Sequence, residues 1–284
     1  MRFDQVAISL SPRTTANCLD LGLLIVRRHA RPLLALWAWI AIPSCALTYW
    51  LVYQFACSLW TGLLVFLVAS APLGVLTVMG VAPSTFGEPC TFWNVWQRVK
   101  HGGWRLLAMV QLLRLGAILA GALFCGVPGA LVSVRYGFLA EQFVLAKLSK
   151  DLFDSNLKDL LKVEFADLCA RALCITIYCG LIWIALFMLA DQLGYYVLFG
   201  FGLLRGRLNI DLQYMTGEEV LPMLINFLWY DARVVTALVG CGLLVYVLGR
   251  LAWFLAYIDL RVRRDCWDME LQIMHEADRL EATG

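Results

Sequence analysis

Charged residues are scarce in this sequence, and one long stretch has none at all. Only 15% of the 284 residues are charged and 61% are hydrophobic, whereas a soluble domain has roughly 25% charged and 45–50% apolar residues. No charged residue occurs between Pro32 and Gly87, a run of 56. One helical crossing of the hydrocarbon core needs about 20 residues, so this run predicts at least two crossings. The composition therefore excludes an ordinary water-soluble fold.

Motifs for catalysis and for metal binding are missing as well. The sequence has no HExxH and no glycine-rich phosphate loop followed by lysine. Only one carboxylate, Glu141, falls inside a predicted span, whereas an intramembrane aspartyl protease needs two facing acids. No span contains a histidine that could activate a serine. We therefore expect that the protein is not an enzyme and that it has neither a cofactor nor a metal site.

Six apolar segments are long enough to be transmembrane helices. They are Leu33–Tyr53, Leu59–Ala82, Leu106–Cys125, Ala130–Lys147, Ala172–Ala190 and Val234–Ile258. An alternative count is five, because Leu115–Val134 is also an uncharged stretch of 20 residues and could form a single crossing. No A-x-A cleavage site follows the first apolar stretch, so we expect that stretch to be retained.

The distribution of basic residues decides between five and six spans. With six spans, 17 of the 23 Arg and Lys residues lie on the cytoplasmic side. Three lie on the far side (Arg205, Arg207 and Arg233) and three within helices. An odd number of spans would place one of the two basic termini outside. The prediction is six spans with both termini in the cytoplasm.

Amphipathic segments flank the predicted spans within a single membrane domain, 1–284. Residues 1–31 are predicted to form an interfacial helix, with Ser11 as N-cap and Pro12 in the first turn. Asp151–Asp167 has the pattern of a surface helix, and the connection Asp191–Arg233 is predicted to contain a helix on the far membrane face. Residues 32–258 are predicted to form the transmembrane bundle, and residues 259–284 a charged, helical cytoplasmic tail.

Four charged residues lie inside the predicted spans: Arg114, Arg135, Glu141 and Arg250. A charge at the centre of a bilayer costs about 2.5–3.5 kcal/mol on insertion scales, so each needs a partner or water. One interpretation is a positively charged pocket that holds a phosphate or a lipid headgroup. The other is a structural Arg–Glu pair, with the remaining arginines reaching towards the membrane surface.

Three short motifs resemble a known group of proteins. They are Pro128-Gly129, Arg135-Tyr136-Gly137-Phe138 and Tyr257-Ile258-Asp259-Leu260-Arg261. Together they resemble a loose group of bacterial six-span membrane proteins typified by the membrane domain of glycerophosphodiester phosphodiesterases, from about Thr14 to Arg279. The resemblance implies a bacterial cytoplasmic membrane and six helices. In that group a separate soluble domain carries the phosphodiesterase chemistry, so that activity is not expected here.

Two functions are compatible with these patterns. The first is a non-catalytic membrane subunit or scaffold that binds other membrane or cytoplasmic proteins. Its partner-binding element would be the tail, where Trp267, Leu271 and Met274 share one face and acidic residues dominate the rest. The alternative is a transporter or lipid-binding protein that uses the arginine-lined interior. The expected partners are membrane lipids and proteins; the net charge of +2 argues neither for nor against nucleic acid, and we expect none.

Overall fold

The computed structural model describes residues 14–84, 90–123, 137–138, 140–141, 165–197 and 217–265. Almost all of these residues are helical, and no strand occurs among them. The α-helices, in chain order, are α1 (Thr15–Arg28), α2 (Ala30–Phe55), α3 (Leu59–Ser84), α4 (Phe92–Arg98), α5 (Trp104–Leu123), α6 (Phe165–Val197), α7 (Gly217–Tyr230) and α8 (Ala232–Asp265). A π-helical turn, Val99–Gly103, joins α4 to α5.

Within this described part of the chain, four helices are long and apolar enough to cross a membrane. They are Ala30–Phe55, Leu59–Ser84, Phe165–Gly194 and Ala232–Leu260. They correspond to the first, second, fifth and sixth predicted spans. The prediction of an all-helical protein with transmembrane helices is therefore confirmed at this level.

The third and fourth predicted spans remain predictions. The third corresponds to α5, a helix of 20 residues, which is about the length of one crossing. Most of the fourth, together with the predicted reversal at Pro128-Gly129, lies outside the described residues. The count of six spans is thus neither confirmed nor contradicted.

The first helix begins later than predicted. Its N-cap is Thr14, whose hydroxyl oxygen accepts a hydrogen bond from the backbone N–H of Asn17 at 3.3 Å. The predicted N-cap, Ser11, was therefore wrong for this helix, because Thr14 satisfies the free N–H group of the first turn. One face of α1 is buried, and a Cβ at Gly22 would lie 3.6 Å from the backbone nitrogen of Ala252 in α8.

Helix α6 is longer than the predicted fifth span, Ala172–Ala190. It extends from Phe165 to Val197 and includes the charged residues Asp167, Arg171 and Asp191. The last three residues of the predicted surface helix, 165–167, therefore belong to α6, and residues 151–164 lie outside the described part. The helix can continue through these charged residues because Asp167 and Arg171 form an ion pair with each other.

The chain divides into two compact units. The first consists of residues 1–36, 74–176 and 247–284, and the second of residues 37–73 and 177–246. Helices α2, α3, α6 and α8 each contribute residues to both units. The predicted single membrane domain remains a prediction.

Aromatic packing joins three helices within the second unit. The ring of Phe66 in α3 stacks on Trp183 of α6, with 6.4 Å between centroids, and meets the edge of Tyr246 in α8. The indole N–H of Trp183 donates a 2.9 Å hydrogen bond to the backbone carbonyl of Leu238. A buried indole N–H needs such a partner, because lipid offers none.

Helices α3 and α8 approach each other closely at Gly62. A Cβ built at Gly62 would lie 2.5 Å from Cγ1 of Val235 and 3.4 Å from Cγ2 of Val239. Both neighbours are β-branched and hold a fixed rotamer in a helix, so they cannot easily move aside. The absence of a side chain at Gly62 therefore permits this helix contact.

We expect Gly62→Ala to lower the free energy of unfolding in detergent by about 1–3 kcal/mol, the usual cost of overpacking. Gly116→Ala is the matched control, because nothing lies within 4 Å of a Cβ there. That variant should be neutral or more stable by up to about 1 kcal/mol, since alanine favours a helix more than glycine does. Thermal unfolding monitored by tryptophan fluorescence measures both, and equal shifts would contradict the close contact.

Candidate functional site: buried ion pairs of the first unit

A buried ion pair links Arg250 of α8 to Glu141. The guanidinium Nη2 lies 2.6 Å from Oε2 of Glu141, and Nη1 donates a 2.9 Å hydrogen bond to the backbone carbonyl of Gly137. The carboxylate side chain has no exposed surface, and that of Arg250 is 12% exposed. Residues 109 positions apart in the sequence are thereby joined.

Aromatic rings pack beside this ion pair. Phe138, which is completely buried, stacks on Trp253 at 4.7 Å and contacts Tyr257 at 5.1 Å. Trp253 and Tyr257 lie one and two helical turns after Arg250, so they share a face with it. The Glu141 side chain has no exposed surface and that of Arg250 is 12% exposed, so little water screens the attraction between them.

A second ion-pair network is centred on Arg171 of α6. Its Nε lies 2.7 Å from Oδ2 of Asp167, one turn earlier in the same helix. Its Nη1 lies 2.7 Å from Oδ2 of Asp259 in α8. The side chains of Arg171 and Asp259 are 8% and 0% exposed, whereas that of Asp167 is 53% exposed. One planar guanidinium thus bridges a buried and an exposed carboxylate, which a lysine could not do in the same geometry.

Two polar atoms of the first ion pair have no hydrogen-bond partner among the described residues. They are Oε1 of Glu141 and Nε of Arg250, and both are buried. Oε1 is a hydrogen-bond acceptor and Nε is a donor. A water molecule or a hydroxyl group could bind both atoms, because each can donate and accept a hydrogen bond.

The structure brings together Glu141 and Arg250, two of the four charged residues that the sequence singles out. Arg114 lies in α5, is half-buried and has interactions of its own. Arg135 lies outside the described residues, as do the proposed partner-binding residues of the tail, Trp267, Leu271 and Met274.

The sequence-based prediction missed Arg171 and Asp259 as buried charges. It assigned both to segments outside the spans, since each lies close to the end of an apolar run. The spacing of Asp167 and Arg171, four residues apart, is the signal that could have identified one half of this network. The contact with Asp259, 88 positions away in the sequence, has no comparable local signal.

The described residues also lack the groups that a metal centre requires. No cluster of three or more His, Cys, Asp or Glu side chains able to hold a metal ion occurs among them. The eight cysteines in this part of the chain are free thiols. The charged groups of the two networks pair with one another and join segments distant in the sequence.

Comparisons with known proteins do not assign the chain to a family: no family model, no curated protein and no solved structure matches it. The resemblance to the membrane domain of glycerophosphodiester phosphodiesterases therefore remains a prediction based on the short motifs given above.

Proposed function

We propose that this chain is a non-catalytic integral membrane subunit or scaffold of a membrane-associated protein complex. The proposal is supported by buried ion pairs that join segments distant in the sequence. Arg250 is neutralised by Glu141, and Arg171 by two aspartates. Such ion pairs add little net stability compared with apolar packing, but they fix which segments come together. Segments held together in this way suit a protein that positions others.

The exposed apolar surface of α6 supports the same proposal. Only 11% of its most apolar 18-residue window is buried within this chain, compared with 67% for α3. Large exposed side chains lie all along it: Leu173, Ile177, Leu181, Ile184 and Met188. In a bilayer this surface contacts lipid or the apolar helix of another subunit, so α6 is well suited to the periphery of a complex.

The cytoplasmic tail is the proposed attachment point for a soluble or peripheral partner. Between Asp265 and Glu281 it has six acidic residues and one arginine, Arg279. An anionic membrane surface repels such a segment, so its apolar residues are better covered by protein than by lipid.

Deleting residues 266–284 should leave membrane insertion unchanged and abolish association with native partners. The tail follows the last transmembrane helix, so its removal does not affect the spans themselves. Affinity purification from native membranes, with full-length and truncated chains compared side by side, measures this. A truncated chain that recovers the same set of proteins would contradict the scaffold function.

The alternative function is a transporter or a lipid-binding protein. It is supported by two buried atoms without hydrogen-bond partners, Oε1 of Glu141 and Nε of Arg250, because a polar ligand could bind to them. The neutralisation of Arg250 by Glu141 disfavours it, because a headgroup phosphate would have to compete with a carboxylate 2.6 Å away. This function does not require the tail, so the same truncation separates the two proposals.

We also propose six spans, a bacterial cytoplasmic membrane and cytoplasmic termini. The positive-inside distribution supports the topology, and the resemblance of the short motifs supports the bacterial membrane. Four helices of crossing length are in place, and α5 and the segment around Glu141 would supply the remaining two.

Labelling of single introduced cysteines tests this topology. Each cysteine is introduced into a variant whose accessible natural cysteines have been replaced by serine. Positions Ser11, Lys100, Lys158 and Thr283 should react with a membrane-impermeant maleimide only after the cells are opened. Gln213 should react in intact cells. Labelling of position 158 in intact cells would instead support five spans.

A further inference from the structure

Basic and aromatic side chains are exposed along the chain before and at the start of α5. We call residues 90–105 the basic corner. It comprises Cys90, the N-cap residue Thr91, α4, the π-helical turn and the first two residues of α5. Its exposed residues include Trp93 and Trp104, at 61% and 62%, together with Lys100, His101 and Arg105.

The inner face of the basic corner is fixed on the end of α3. Val95 is 1% exposed, and its Cγ2 would lie 3.2 Å from a Cβ at Gly80. The guanidinium Nη1 of Arg98 donates a 2.8 Å hydrogen bond to the backbone carbonyl of Met79. The backbone that carries the exposed cations is therefore held against α3 at Val95 and Arg98.

The basic corner itself contains no acidic residue. The sequence has no Asp or Glu between Glu88 and Glu141. Among the described residues, Lys100 and Arg105 form no ion pair. The ammonium of Lys100 lies 5.7 Å from the ring centroid of Trp96, a cation–π contact that leaves its charge available to an anion.

Two physical properties of this surface identify its ligand. Exposed tryptophan rings are typical of the boundary between hydrocarbon and headgroups, where one side of the indole is apolar and its N–H is hydrated. Lysine and arginine at that depth meet the phosphates of the headgroups. A soluble acidic protein would match the cations but would leave the two rings without the apolar layer that they require.

We propose that the basic corner is a binding site for the phosphate of an anionic phospholipid in the leaflet that it contacts. Lys100 and Arg105 hold the headgroup, while Trp93 and Trp104 pack against the upper part of the acyl chains. This site is separate from the Glu141–Arg250 pair and does not depend on the scaffold function.

The test uses the purified full-length chain in detergent, titrated with phosphatidylglycerol or phosphatidylcholine, with bound lipids counted by native mass spectrometry. The wild-type chain should bind phosphatidylglycerol about tenfold more tightly than phosphatidylcholine. The double variant Lys100→Gln/Arg105→Gln should lose about tenfold of its affinity for phosphatidylglycerol and little of that for phosphatidylcholine.

The matched control is Arg27→Gln/Arg28→Gln, which removes the same charge from two exposed residues of α1. It should reduce the affinity for phosphatidylglycerol by less than about threefold, since it affects only the general surface charge. The swap Lys100→Arg/Arg105→Lys preserves both charges and should retain binding. Unchanged binding of phosphatidylcholine by the Lys100→Gln/Arg105→Gln variant shows that this variant is folded. Equal losses in the two glutamine variants, or no preference between the two lipids, would overturn the proposal.

Discussion

Replacing Glu141 with glutamine should lower the free energy of unfolding by about 3–5 kcal/mol, because the change leaves a buried guanidinium without its counter-charge. Glu141 has no exposed surface, and its partner Arg250 is only 12% exposed, so water cannot replace the carboxylate. The amide of glutamine keeps the shape and one acceptor of the side chain, and thus the effect reports the loss of charge. Thermal and chemical unfolding of the purified chain in detergent measures it.

Asp20→Asn provides the control for Glu141→Gln. Asp20 is an exposed carboxylate of α1, and its replacement likewise removes one negative charge. It should leave the melting temperature unchanged, as most exposed substitutions do. Equal shifts in the two variants would mean that Glu141 is accessible to water and that the ion pair does not hold the helices together.

The second large effect is expected at Arg171, whose two carboxylate partners differ in burial. Asp259→Asn should cost about 3–5 kcal/mol, because Asp259 is fully buried and its loss removes the principal counter-charge of Arg171. Asp167→Asn should cost about 1 kcal/mol or less, because Asp167 is half-exposed and the pair is screened by water. The two variants change the same kind of group beside the same guanidinium, so each serves as the control for the other.

Denaturant titrations of the two aspartate variants compare these costs directly. A loss of stability at Asp167 as large as that at Asp259 would contradict the burial on which this prediction depends. A further variant, Arg171→Lys, should lie close to Asp259→Asn, because a single ammonium cannot reach both carboxylates with the geometry of a guanidinium.

The transmembrane helices could be predicted from the sequence because the requirement for a long apolar helix is local. The predicted span Leu59–Ala82 corresponds to α3, Leu59–Ser84, and Val234–Ile258 corresponds to α8, Ala232–Asp265. A bilayer requires about 20 apolar residues and internal backbone hydrogen bonds, and both conditions can be recognised without knowing the neighbouring helices.

The ends of the helices were less predictable, because they depend on contacts distant in the sequence. Arg171 was placed before the fifth span, since a charge next to an apolar run usually marks its boundary. In the structure α6 continues through Arg171, because Asp259 of α8 pairs with it. No periodicity in either segment indicates that the two residues meet.

The candidate site could be predicted only in part, for the same reason. The cost of an unpaired charge in lipid identified Glu141 and Arg250 as residues that need partners. It could not determine which of the three arginines would pair with the glutamate, since that depends on the packing of helices. The packing of Phe138 against Trp253 and Tyr257 likewise arises from tertiary structure.

We infer that buried ion pairs hold distant segments of this chain together, and a double-mutant cycle on Glu141 and Arg250 measures this. The cycle compares Glu141→Gln, Arg250→Gln and the double variant in unfolding experiments in detergent. If the two side chains stabilise the fold as a pair, the loss of unfolding free energy in the double variant should be smaller than the sum of the two single losses by at least about 1 kcal/mol. The reason is that the double variant leaves neither charge buried without its partner. Additive effects would contradict the claim, since they would show that the two residues contribute independently despite their 2.6 Å contact.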